Sequence, residues 1–243
     1  MNLIKVKDYE EMSNRACEYL VKKIHELDNP VLGLATGSTP EGLYKRLIEK
    51  YNSDEVSFKG VTTFNLDEYV GLSKEDPQSY HYYMMDKFFN HIGDISSENI
   101  HLPNGTAEDL EQECKDYEVL IRKAGHVDIQ VLGIGKNGHI GFNEPGTPFT
   151  SRTHVVELDE STRQANSRFF DSMDDVPKQA ISMGIETIME SKEIILLVSG
   201  EGKAEALARL LETDAETTED FPASVLRKHN HVTIIADEAS RLK

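Results

Sequence analysis

The sequence predicts an α/β fold: a doubly wound, mostly parallel sheet with helices on both faces, Rossmann-like, in a single domain. Five apolar runs, "PVLGLATG", "VTTFNLDEY", "DIQVLGIG", "EIILLVSG" and "HVTIIADE", end in small or polar residues. Near-continuous apolar strands of this kind belong in a parallel sheet buried on both faces. Between them lie segments with apolar residues at three and four spacing, so strands alternate with helices. The length of 243 residues, with 38% hydrophobic and 28% charged content, suits one such sheet with a real core rather than a disordered or fibrous chain.

In chain order, Asp8 to Leu27 reads as an amphipathic helix, and "PVLGLATG" is the first buried strand. "TGSTPEGLYKRL", Thr36 to Leu47, then offers Gly37 for close backbone approach, hydroxyls on Ser38 and Thr39, and Pro40 at a favoured first helical position. A helix amino terminus with free amides and hydroxyls is an anion site, although simple capping by Ser38 or Thr39 accounts for the same residues. "FNLDEYVGL" sets Asp67 and Glu68 just past the second strand, placed to cap the next helix, to hold a metal or to act as a general base. No further ligands at metal spacing accompany them. Tyr80 to Ile92 reads as helix, as does Thr106 to Ala124, the latter opening with a capping box from Thr106 to Asp109.

"QVLGIGKNGHIGFNEPGTP", Gln130 to Pro148, ends a buried strand in a glycine-rich loop holding His139 and Glu144. Its "GIGKNG" matches the dinucleotide fingerprint as a string. That fingerprint needs a helix starting at its last glycines, and "HIGFNEPG" cannot extend one. The stretch Thr150 to Val176 is polar, contains Arg152, Arg163 and Arg168, and is expected to form a mobile flap. "VSGEGKAEAL", Val198 to Leu207, repeats the strand-to-helix anion arrangement and adds Lys203 in the first helical turn, a cation that opposes the helix dipole but suits a phosphate. Lys203 to Leu211 is expected to be helical, and "ETDAETTED", Glu212 to Asp220, to be a solvated acidic loop.

The formal net charge of -17 repels polyanions, so nucleic acid and anionic membrane are not expected partners. No apolar run is long enough for a signal peptide or a membrane span, which points to the cytoplasm. Cys17 and Cys114 stand far apart and are expected to be small buried side chains in a reducing compartment.

Taken together, "TGSTP", "NLDEYVGL" with "DPQSYHYYM", "GIGKNGHIGFNEPG", "STRQANSRFF" and "SGEGKAEAL" resemble the glucosamine-6-phosphate deaminase family, in order and over nearly the whole chain. "GHIGFNEP" and "ANSRFF" are the most specific of these; "TGSTP" is shared with related sugar-phosphate proteins. The resemblance implies isomerisation and deamination of glucosamine 6-phosphate to fructose 6-phosphate and ammonia, with no metal and no organic cofactor. It implies Asp67 as the base that moves a proton between C2 and C1, and His139 as the residue that assists ring opening, oriented by Glu144 and Asn137. It implies phosphate binding by Arg168 and Lys203, helped by Gly37, Ser38 and Thr39. The partner is then a small-molecule substrate, and the expected state a monomer or small homo-oligomer.

Two departures from the family pattern stand out. Many members carry aspartate where this chain has Asn137, so a neutral side chain orients the histidine and the pH dependence is expected to differ. Larger, allosterically regulated members have a longer carboxyl-terminal segment and basic residues in "RTHVVEL", where this chain has His154 and Val156; weak or absent allosteric activation is expected. The related 6-phosphogluconolactonases share the glycine-histidine loop without "FNEP" and supply the nearest rival, a phosphosugar lactonase. A non-catalytic phosphosugar sensor would need the phosphate loops but not Asp67.

Overall fold

The computed structural model describes residues 1–167, 170–213 and 215–242, with Ser161, Ala165 and Asn166 described in backbone only. The chain runs β1 (Asn2–Lys5), α1 (Tyr9–Glu26), β2 (Val31–Leu34), α2 (Ser38–Asn52), β3 (Thr62–Asn65), β4 (Asp67–Tyr69), α3 (Tyr80–Lys87), β5 (Ile100–His101), α4 (Leu110–Lys123) and β6 (Ile129–Leu132). It continues through β7 (His154–Glu157), α5 (Glu160–Asn166), β8 (Gln179–Ser182), α6 (Ile185–Met189), β9 (Glu193–Val198), α7 (Ala204–Leu211) and β10 (Val232–Ala236). A parallel seven-stranded sheet in the order β1-β10-β9-β6-β2-β3-β5 forms the centre, as the five apolar runs require. Its inner strands are buried along their length: Leu32, Leu34, Ile129, Leu132, Leu196 and Ile234 are fully enclosed, each contributing about 1.5–3 kcal/mol of burial. Gly33 is required in β2, because a Cβ there would lie 2.1 Å from Oε1 of the buried Gln130 on neighbouring β6.

A second sheet, antiparallel and in the order β4-β8-β7, was not expected. "VTTFNLDEY", read as one strand, is two. Leu66 hands the chain across: its N–H donates to Leu34 in the large sheet, and its carbonyl accepts from Met183 just beyond β8. β1, β5, β7 and β8 escaped the sequence reading because they are two to four residues long and, β8 apart, only partly buried.

Helix ends also differ in detail. Asp8, read as the start of the first helix, is its cap and accepts from Glu11 N–H, but α4 starts at Leu110 under Asp109, whose carboxylate accepts from Gln112 N–H. Thr106 instead donates to Asn104, so the box expected from Thr106 to Asp109 does not form and Asp109 caps the helix. Pro40 is the third residue of α2, not the first. α3 stops at Lys87 and continues as a 3-10 turn, Phe89–His91. Cys17 and Cys114 are buried free thiols. Among the described residues no helix is long and apolar enough to cross a membrane.

The segment 150–176 is more built than a polar flap. Its β7 pairs with β8, Val155 opposite Ile181. Arg152 grips both carboxylate oxygens of Glu190 at 2.6 Å. The buried Glu118 accepts from Thr153 N–H, the Thr153 hydroxyl and the Thr187 hydroxyl, which fastens the approach to β7 against α4 and α6. The acidic loop is likewise engaged: the Glu219 carbonyl accepts from Gly146 N–H and its carboxylate from Phe149 N–H.

Candidate active site

Four adjacent strands, β9, β6, β2 and β3, each release one of the sequence motifs at the carboxyl edge. With strands about 4.8 Å apart, these loops stand side by side within roughly 15 Å, at the edge where open α/β sheets bind ligands.

After β2, Gly37 adopts φ 92°, which favours glycine, and α2 begins without a side-chain cap. The simple capping role for Ser38 and Thr39 is therefore absent. Three tyrosine hydroxyls hold the carbonyls of this turn: Tyr44 donates to Ala35 at 2.5 Å, Tyr83 to Gly37 at 2.6 Å and Tyr9 to Ser38 at 2.8 Å. With those carbonyls occupied, the turn presents amides and the Ser38 and Thr39 hydroxyls, a surface suited to an anion.

After β3, the two acids divide their tasks. Glu68 caps α3, accepting from Tyr80 N–H at 2.9 Å and His81 N–H at 2.8 Å. Asp67 is just as buried, but no hydrogen bond reaches its carboxylate among the described residues. Burial, followed by the neighbouring charge of Glu68, pushes Asp67 up to about 8. Burial raises Glu68 to about 7 despite its three backbone donors.

After β6, no helix follows the glycine loop, so the dinucleotide reading is excluded by geometry as it was by sequence. Gly135 and Gly138 have steric reasons: a Cβ on the first would lie 2.2 Å from the His139 ring, and on the second 2.1 Å from the Phe221 ring. Gly135→Ala is accordingly expected to displace His139 and cut turnover by at least about tenfold, with little change in melting temperature if the loop yields; steady-state rates beside a thermal melt check this.

Within the loop, His139 Nδ1 lies 2.8 Å from Asn137 Oδ1, and Asn137 Nδ2 donates to Glu144 Oε2 at 2.7 Å. An amide oxygen only accepts, so Nδ1 carries a proton and Nε2 is the ring atom left to exchange one. Glu144 Oε2 is 3.5 Å from Nδ1, an ion-pair distance rather than a good hydrogen bond. Burial works to raise Glu144, but the nearby His139 ring, the Thr162 hydroxyl and the Asn137 amide outweigh it and lower the carboxyl to about 2. Asparagine suits this position: an aspartate would set a second carboxylate against an ionised Glu144, whereas the amide donates to one neighbour and accepts from the other.

Asp67 meets this loop at Gly141. A Cβ there would lie 3.1 Å from Ser182 Oγ, 3.5 Å from Asn143 Nδ2 and 3.8 Å from Asp67 Oδ2. Asp67 therefore approaches the histidine loop at Gly141, two residues along the chain from His139.

After β9, Gly200 has φ 89° and donates its N–H to the buried Asp237, which also accepts from the Ser199 hydroxyl at 2.5 Å. Lys203 is the residue immediately before α7 rather than within its first turn. Lys136 from the histidine loop reaches this turn, its Cε 3.2 Å from where a Gly202 Cβ would stand. Arg168 lies outside the described residues. Asp237, Ser182, Thr162 and Tyr83 were missed in the sequence. Only Asp237, at the polar end of "HVTIIADE", had a readable signal. A separate open groove lined by His25, Asp28, Asn52, Glu55 and Lys59 holds none of the motif residues.

Against known proteins, residues 7–235 match the family model described as glucosamine-6-phosphate isomerases/6-phosphogluconolactonase. The chain belongs to that family. It is 60% identical over 240 residues to a glucosamine-6-phosphate deaminase of Oceanobacillus iheyensis, covering 99% of this chain and 95% of the relative. It is 54% identical to glucosamine-6-phosphate deaminase 1 of Bacillus subtilis, over all of both chains. A solved monomeric glucosamine-6-phosphate deaminase superposes with a TM-score of 0.96 at 54% identity, covering 99% of this chain and 98% of that one. A 6-phosphogluconolactonase from Thermotoga maritima, at 19% identity and a TM-score of 0.75 over 98% and 99% of the two chains, shares the family fold.

Proposed function

We propose that this chain is an enzyme that isomerises and deaminates glucosamine 6-phosphate, giving fructose 6-phosphate and ammonia. The observation that carries the reading is the approach of Asp67, a carboxyl raised toward neutrality, to Gly141 in the loop that holds His139, a histidine whose Nδ1 is committed to Asn137. The relatives at 54–60% identity bear the deaminase name, which favours this reading over lactone hydrolysis.

In the proposed sequence, His139 Nε2 assists transfer of the C1 hydroxyl proton as the pyranose opens, which exposes a C1 carbonyl and acidifies the C2 proton. Asp67 takes that proton. C1 is then protonated, leaving an imine at C2; water adds there, and ammonia departs as the C2 carbonyl forms. Asn137 and Glu144 hold the histidine tautomer. The amides after Gly37, the Ser38 and Thr39 hydroxyls, Lys203 and Arg168 take the phosphate, local cations and donors that offset the net charge of -17. These steps call on no metal or organic cofactor. The enzyme works in the cytoplasm, as a monomer or small homo-oligomer.

The test is product analysis on purified, metal-stripped protein: stoichiometric ammonium and fructose 6-phosphate from glucosamine 6-phosphate are expected. Acid release from 6-phosphogluconolactone without ammonium from the amino sugar would replace this reading with the lactonase.

A further inference from the structure

We infer that Thr162 is a positioning residue for the histidine relay: its hydroxyl fixes the Glu144 carboxylate in the orientation that Asn137 requires. The inference rests on the proposed part of His139 in turnover. Thr162 Oγ1 donates to Glu144 Oε1 at 2.6 Å, and Thr162 is only 8% exposed. Each oxygen of Glu144 thus has one short donor, Thr162 on Oε1 and Asn137 on Oε2.

That division has consequences for the ring. Glu144 Oε2 receives Nδ2 of Asn137, which turns the amide so that Oδ1 faces His139 Nδ1. Without an anchor on Oε1, the carboxylate is free to rotate and take Nδ1 directly, from 3.5 Å away. The amide then loses its reason to face one way, and the ring loses the contact that fixes its orientation.

Thr162 is itself held in place independently of Glu144. The next residue, Arg163, donates from its guanidinium to the carbonyls of Met173 at 3.0 Å and Val176 at 3.1 Å, tying α5 to the segment that enters β8. A β-branched side chain on a helix has few χ1 choices, and the Thr162 hydroxyl is spent on Glu144 rather than on a carbonyl of its own helix. A residue 18 positions from Glu144, on a different element, thereby completes the chain Thr162–Glu144–Asn137–His139.

The experiment is a double-mutant cycle with kcat and KM for glucosamine 6-phosphate, each variant checked by thermal melt. Thr162→Val keeps the shape and removes the hydroxyl; it is expected to lower kcat about tenfold, with KM within about twofold. Thr162→Ser is expected to restore kcat to within about twofold, and Thr162→Val added to Glu144→Ala to cost nothing further. A Thr162→Val enzyme with wild-type kcat, or one whose loss is undiminished in the Glu144→Ala background, overturns the inference while leaving the relay intact. A Glu144→Ala enzyme with wild-type turnover overturns the relay reading and this inference together. Should Thr162→Val not fold, Thr162→Ala enters the same cycle with the same outcomes.

Discussion

Asp67→Asn is expected to lower kcat by about 10²–10⁴-fold while phosphosugar binding persists, because the phosphate contacts proposed above come from other loops. The base must be ionised to take the C2 proton, and burial together with Glu68 raises Asp67 to about 8. Wild-type kcat/KM should therefore climb with pH up to about 8 and flatten above it, and the climb should vanish in the variant. Stability carries the opposite sign. An unfolded aspartate ionises near its ordinary 3.8 and the native one near 8. As pH rises between these values, the unfolded chain sheds a proton that the native state keeps, so the native state is progressively disfavoured. Glu68, raised to about 7, adds to this trend, and Tyr44, Tyr69, Tyr80 and Tyr117, whose hydroxyls interact with Asp67 and are pushed up by burial, stay neutral over this range and do not counter it. Asp67→Asn removes the larger part, and should gain about 1–3 kcal/mol at pH 8, or about 3–10 °C in Tm, with a smaller gain at pH 5. Melts of both proteins at the two pH values provide the check.

His139→Gln is expected to reduce turnover of glucosamine 6-phosphate by about 10²–10³-fold for a different reason. Glutamine can hydrogen-bond but cannot exchange a proton near neutral pH, so ring opening slows while Asp67 remains in place. Exchange of the C1 hydrogen of fructose 6-phosphate with solvent deuterium, in the presence of ammonium, bypasses pyranose opening. That exchange should survive in His139→Gln far better than net turnover does, and should be lost in Asp67→Asn. Equal loss of both activities in His139→Gln would mean that the histidine serves the carbon proton transfer as well.

Much of this was legible from the chain alone, where function coincides with continuous chemistry. The five long apolar runs form the inner part of the large sheet because complete burial demands uninterrupted hydrophobicity. The loop from Gly133 to Gly146 advertises itself through its glycines, two of which, Gly135 and Gly138, leave room for the His139 and Phe221 rings. The short strands left little trace, since edge and half-exposed strands need neither length nor an apolar run. Leu66 shows why "VTTFNLDEY" misled: a single residue serving two sheets has no compositional signature. Asp67 and Glu68 were indistinguishable until α3 took Glu68 for its own amino terminus. Thr162 acts by tertiary approach, which local sequence does not encode, whereas Asp237 could have been suspected from its place at the polar end of an apolar run. Asn137, a departure when compared with the family, makes sense once Glu144 is seen accepting from its amide.

The most direct test is turnover of glucosamine 6-phosphate in D2O, with C1 of the fructose 6-phosphate examined by NMR. The wild-type enzyme should place deuterium on one face of C1, and Asp67→Asn should place essentially none over the same period while still binding the substrate. Deuteration by Asp67→Asn at the wild-type rate, or at both faces equally in the wild type, would contradict a single buried carboxylate carrying the proton between the two carbons.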